Sequence, residues 1–164
     1  MKQSILFLIL SCSFVLLTAC KQEPPSPPED KPQYSFRHDA NLQITGVSGQ
    51  PKASFKVEIA QTAEQQMQGL KYRDSLAADQ GMLFIFARTD YHSFWMQDTY
   101  LPLDMIFIDK DGRIVHIEEN TIPFDENPIF PERPCQYVLE LPAGTAEKQN
   151  LKLMDTVKWQ ELND

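Results

Sequence analysis

From residue 53 to residue 162 the chain repeats one pattern. Runs of six to eight residues, rich in Val, Ile, Phe, Tyr and Trp, are cut apart by Pro, Gly, Asp and Asn. "ASFKVEIA" (53–60) sets Phe55, Val57 and Ile59 against Lys56 and Glu58, the period of a strand with one buried side. "GMLFIF" (81–86), "YHSFWM" (91–96), "LDMIFID" (103–109), "RIVHIEE" (113–119), "QYVLEL" (136–141) and "DTVKWQEL" (155–162) extend the series. In "LDMIFID", Leu103, Met105 and Phe107 fall on one side and Ile106 and Ile108 on the other, so this strand is expected to be central and covered on both faces. "DKDG" (109–112) reads as a hairpin turn, with Gly112 supplying the positive φ.

One helix interrupts the strands. Thr62 and Gln65 fit a capping box, Met67 and Leu70 give a short apolar stripe, and Gly69 ends it. The expectation is a mainly β chain: a single antiparallel β-sandwich or barrel-like domain with one short helix, over residues 34–164.

The N-terminus has a different character. A basic start is followed by the apolar run 5–17 and by Leu17, Thr18, Ala19 and Cys20. This reads as a signal peptide over residues 1–19, too short for a stable membrane span, with a bacterial lipobox that makes Cys20 the lipidated first residue of the mature chain. The membrane, reached through that anchor, is then one partner; a small ligand or an envelope protein is the other. "KQEPPSPPEDKPQ" (21–33) denies the chain helix and ladder alike and reads as a spacer reaching roughly 40 Å at ~3.1 Å per residue. The expected location is the periplasm or cell envelope. Lys21 after the lipidated cysteine leans toward outer-membrane sorting in a Gram-negative host.

Charge and cysteine content narrow the classes further. A formal net charge of −8 argues against nucleic-acid partners. Cys12 leaves with the signal and Cys20 is acylated, so Cys135 stands as a single thiol, read as buried and inert because no His or Cys neighbours it in sequence. No ligand set with zinc-site spacing, Gly-rich phosphate loop or Ser elbow is present, and no cofactor or metal is expected.

The ordered set "TAEQQMQGL", "GMLFIF", "FWMQDT", "LPLDMIFID", "DGRIV" and "YVLEL" resembles the bacterial and archaeal domain of unknown function 192, from about Phe55 to Val157. The resemblance implies a compact β-rich domain, often exported, with no established activity. Two departures stand out: Lys71 follows Gly69 and Leu70 where the family has Met, and Gln97 and Asp98 replace the Lys and Asn of the family's "FWMKNT". The second change removes a positive charge, which weakens any family site that uses it to attract an anion.

Candidate site residues cluster around that motif: Trp95, Asp98, Thr99 and Asp104, joined by Glu140, which strand alternation places on the same side as Val138. A buried Glu140 needs a cation such as Arg73, Arg88 or Arg113, or a hydrogen bond. Three readings stay open. Asp98 and Asp104 cap the turn "QDTYLPLD" while Glu140 anchors an arginine; the acids and Trp95 form a small-ligand pocket; or the acids act as general acid and base on an envelope polymer, which requires carboxylates ~5 to 9.5 Å apart. A Cu(I) site from His92, Met96, Met82 and Met105 is a further alternative, opposed by the ~13 Å between His92 and Met96 on an extended strand. Trp159 is expected to pack on the core. The proline-stiffened loop "TIPFDENPIFPERPCQ" (121–136) offers Phe124, Ile129 and Phe130 to a pocket or a partner.

Overall fold

The computed structural model describes residues 34–162. The signal, Cys20 and spacer expectations therefore lie outside the described residues. Seven strands form one sheet: β1 Ala40–Thr45, β2 Pro51–Ala60, β3 Gln80–Asp90, β4 Leu103–Ile108, β5 Ile114–Glu118, β6 Cys135–Pro142 and β7 Thr156–Glu161, in the order β5-β4-β6-β3-β2-β1-β7. The sheet rolls up without closing. Its edges meet through a bridge between Arg113 and Thr156, supported by Val157 N–H to the Gly112 carbonyl at 2.7 Å and Ile114 N–H to the Asp155 carbonyl at 2.9 Å. Gly112, at φ 80°, closes the expected "DKDG" turn.

The rolled sheet buries both faces. Inside, Leu42, Ile44, Val57, Leu83, Ile106, Leu139 and Val157 pack together from six strands. Outside, Leu70, Met82, Phe84, Met96, Met105, Phe107 and Val138 form a second cluster. All six residues of β4 are buried, as its two-sided apolarity requires. Trp159 packs edge-on against Tyr137 at 4.8 Å beside the inner cluster, and Cys135 is fully buried.

Pairing is antiparallel everywhere except between β2 and β3, which run parallel. A parallel neighbour cannot be reached by a hairpin, so the chain must cross over the sheet. That crossover carries α1, Ala63–Gln68, with Thr62 and Gln65 forming the capping box, and lays it on the outer face. Gly69, at φ 50°, ends the helix, and a Cβ there would sit 3.4 Å from the Phe84 ring.

Three details depart from the sequence reading. β1 precedes the first expected strand, and α2, Thr145–Lys148, follows β6. "YHSFWM" keeps its alternation, with Met96 buried and Trp95 half exposed, but is not a strand; Phe94 alone bridges to Ile129, in the proline-rich loop. Pro128 and Pro131 flank that partner and lack the N–H groups a ladder would use.

Candidate functional site

Residues paired directly across a sheet point to the same side, so the ladders define a row on the outer face: Glu58, Met82, Glu140, Met105 and Glu118 on β2, β3, β6, β4 and β5. Glu58 and Glu140 are both buried. They flank Met82 in this row, yet their surroundings differ completely.

Glu58 is held by arginines. Arg73 Nη2 donates to its Oε2 at 2.8 Å, Arg73 Nη1 lies 2.6 Å from Oε1, and Arg37 Nη2 approaches Oε2 at 3.7 Å. Arg73 comes from the crossover and is itself buried, with its guanidinium 5.7 Å from the centre of the Tyr34 ring.

Glu140 has no such support. Its Oε2 is buried with no hydrogen-bond partner, and burial pushes the carboxyl from 4.5 up to about 8. The expected arginine is absent: Arg73 is engaged by Glu58, while Arg88 and Arg113 are exposed. Glu140 instead faces a cavity of about 300 Å³ between the sheet, the end of α1 and the 91–102 segment. Phe84, Phe86 and Phe94 wall it, Trp95 stands at its rim and Thr99 lines it. Phe94 is fixed edge-on by Phe84 at 5.0 Å and Phe107 at 6.0 Å, so this wall belongs to the core. His92 stacks on Phe86 at 3.7 Å, and a ring nitrogen lies 2.9 Å from the Arg88 carbonyl.

The structure thus brings Trp95, Thr99 and Glu140 together, puts Asp104 on the opposite face, and leaves Asp98 beside the cavity but outside its lining. Asp104 pairs with Leu141 across the ladder, on the face opposite Glu140. Its buried carboxylate accepts N–H bonds from Asn120 at 2.8 Å, Gly144 at 3.2 Å and Ala146 at 2.8 Å. It ties two loops to β4 rather than capping its own turn. Asp98 occupies the left-handed region at φ 57°, which Asp tolerates better than most residues, and its carbonyl accepts the Tyr72 N–H at 3.0 Å. Its carboxylate beside the Tyr72 hydroxyl holds that phenol above its ordinary range. Asp98 therefore staples the turn to the crossover next to the cavity.

Phe84, Phe86, Phe94 and Lys71 are cavity residues the strand pattern did not single out. The signal was available in the helix that follows β2 directly, since a crossover must cover whatever the outer face presents. The copper alternative finds its residues engaged elsewhere: Met96 Sδ accepts the Thr121 hydroxyl at 3.2 Å, and His92 is stacked. Burial raises the Cys135 thiol to about 11, so it stays un-ionised.

Two solved structures resemble this fold. A protein of unknown function from Novosphingobium aromaticivorans DSM 12444 is 37% identical, with a TM-score of 0.69 over 73% of this chain and 84% of that one. A candidate transcription regulator from Sinorhizobium meliloti 1021 is 39% identical, with a TM-score of 0.72 over 77% of this chain and 97% of that one. No curated protein matches the chain. The model of DUF192, the uncharacterized ACR family, matches residues 44–159, the span that carries strands β2 to β6 and the Glu140 cavity, and the chain belongs to that family.

Proposed function

We propose that the domain is a non-catalytic binding module whose cavity receives a small, largely apolar organic molecule against Glu140. One observation carries this reading: a buried carboxyl oxygen with no partner, at an aromatic-walled cavity of about 300 Å³. Leaving a buried polar group unpaired costs about 1–3 kcal/mol, which a ligand recovers by supplying the missing bond. The competing reading as a hydrolase acting on envelope polymers needs two carboxylates in one cleft. Glu140 is the sole carboxylate among the cavity's lining residues, and Asp104 is committed to backbone on the opposite face.

The test is a fragment screen by NMR, read at the Trp95 indole N–H with Trp159 as internal control. Fragments that move Trp95 and lose that effect in Glu140→Leu support the reading. A screen in which every hit survives Glu140→Leu unchanged overturns it.

The place of action is proposed on the N-terminal residues: Leu17, Thr18, Ala19 and Cys20 support lipidation and an envelope location, with spacer 21–33 holding the domain clear of the bilayer. Metabolic labelling with a palmitate analogue checks this. Label retained by Cys20→Ser removes the proposal. The acidic balance disfavours direct DNA contact of the kind a transcription regulator makes.

A further inference from the structure

We infer that the chemical group seated against Glu140 is the carboxamide or lactam edge of a flat, uncharged ring, with Glu140 serving as both hydrogen-bond donor and acceptor. This deepens the cavity reading above and rests on it. A protonated carboxyl presents an O–H donor and a carbonyl acceptor side by side; a carboxamide presents the complementary carbonyl and N–H at matching spacing, so one contact satisfies both partners.

The neighbours of Glu140 select this class over charged ones. Across the ladder it meets Met82 on β3 and Met105 on β4, whose side chains offer no N–H to steady an ionised carboxylate. The 91–102 segment contributes Ser93, Phe94, Trp95 and Thr99 to the cavity, none of them ionisable near neutrality. From the end of α1 comes Lys71, the other ionisable side chain among the lining residues, with no ion-pair partner among the described residues. His92 is held behind Phe86, and Glu58 is paired with Arg73 on the far side of Met82. An organic ammonium would have to shed its hydration beside Lys71. An organic anion would gain the Lys71 ammonium but would shed its own hydration against aromatic walls, beside a carboxyl that offers it a single donor. A neutral amide avoids both penalties, and Phe84, Phe94 and Trp95 give its ring flat apolar faces. Burial, the single cause raising Glu140, keeps the carboxyl protonated around neutral pH, as this role requires.

Three benzene derivatives that differ only in their head group separate the classes: benzamide, benzylammonium and benzoate, titrated into the whole domain and followed at the Trp95 indole N–H. Near pH 6.5, benzamide is expected to bind at least about tenfold tighter than the other two, the difference a single unpaired buried group makes. Near pH 9.5 its affinity should fall about thirtyfold, tracking the protonated fraction of a carboxyl at about 8. Glu140→Gln keeps the donor and acceptor pair without a titratable proton, so it should retain benzamide binding and lose the pH dependence. Tightest binding by benzylammonium or benzoate, affinity that rises with pH, or loss of benzamide in Glu140→Gln overturns the carboxamide inference and leaves the cavity reading standing. Silence of Trp95 toward all three probes at millimolar concentration overturns both.

Discussion

Glu58 and Glu140 stand on the same face of the sheet, separated by Met82, and both are buried; one is clasped by Arg73 and the other faces an apolar cavity alone. Met67, Gln68, Gly69 and Lys71 at the end of α1 divide the two settings, lining the Glu140 cavity on one side and the cavity beside Glu58 and Arg73 on the other. Burial by itself therefore says nothing about function here. A buried acid can be made safe by a cation from the same chain, in which case it is part of the architecture. A buried acid that is instead left to hold its proton is a chemical group in reserve.

The largest effect should come from breaking the clasp. Arg73→Leu leaves the buried Glu58 with only Arg37, at 3.7 Å, to balance it and is expected to cost about 3 kcal/mol in urea unfolding. Adding Glu58→Leu should recover most of that loss, since a buried ion pair replaced by apolar side chains of similar volume is often neutral. A cost in Arg73→Leu below about 1 kcal/mol would mean the pair contributes no more than a surface one, and the contrast between the two glutamates would collapse.

Glu140 should respond to pH where the clasp does not dominate. Its carboxyl is pushed from 4.5 up to about 8 in the fold. Below the lower value both native and unfolded chains hold the proton, and Glu140 does not affect stability. Between the two values the unfolded chain releases the proton while the native one keeps it, so the native state binds more protons and stability falls as pH rises. The fall levels off once pH passes the native value. Each pH unit between the two values contributes at most ~1.4 kcal/mol, so a loss of order a few kcal/mol is expected. Unfolding curves at a series of pH values check this: Glu140→Gln should match wild type near pH 4.5 and exceed it increasingly toward pH 8. Parallel profiles for the two proteins would show that Glu140 is ionised at neutral pH and that the contrast with Glu58 has another basis.

The same two residues show how far the sequence could be read. Alternation placed Glu140 beside Val138 on a buried side, and the two-sided apolarity of "LDMIFID" placed β4 inside the sheet, because both signals are local. Alternation also set Glu58 opposite Phe55, Val57 and Ile59, as if its side faced water. It does not, because β2 lies between β1 and a parallel β3 and is covered by the crossover. Parallel pairing is a long-range fact with no period of its own. For the same reason Arg73, in the polar stretch that ends the helix, gave no sign of reaching Glu58 fifteen positions back. Asp104 was legible as a binder of backbone N–H groups, but it binds those of Asn120, Gly144 and Ala146 rather than its own turn, a choice that only the packed loops determine, and the Asp98 carboxylate sits beside the Tyr72 hydroxyl instead of capping the turn.

The smallest expected effect on stability belongs to Trp95, and it sharpens the contrast from the ligand's side. This residue is 50% exposed at the rim, while the neighbouring Phe94 is locked into the outer cluster by Phe84 and Phe107. Trp95→Ala should change the unfolding free energy by less than about 1 kcal/mol, since half of the residue's surface is already in water. Phe94→Ala should cost about 3 kcal/mol or more, because it empties part of a packed core. If the Glu140 cavity is a binding site, the order reverses for ligand affinity measured by calorimetry in the folded variant. Trp95→Ala should then weaken binding about tenfold, as loss of an aromatic anchor does, while leaving the fold intact. A large exposed aromatic that contributes nothing to stability and nothing to binding would leave the rim without a purpose, and Glu140 would then be a second architectural acid that happens to lack its arginine.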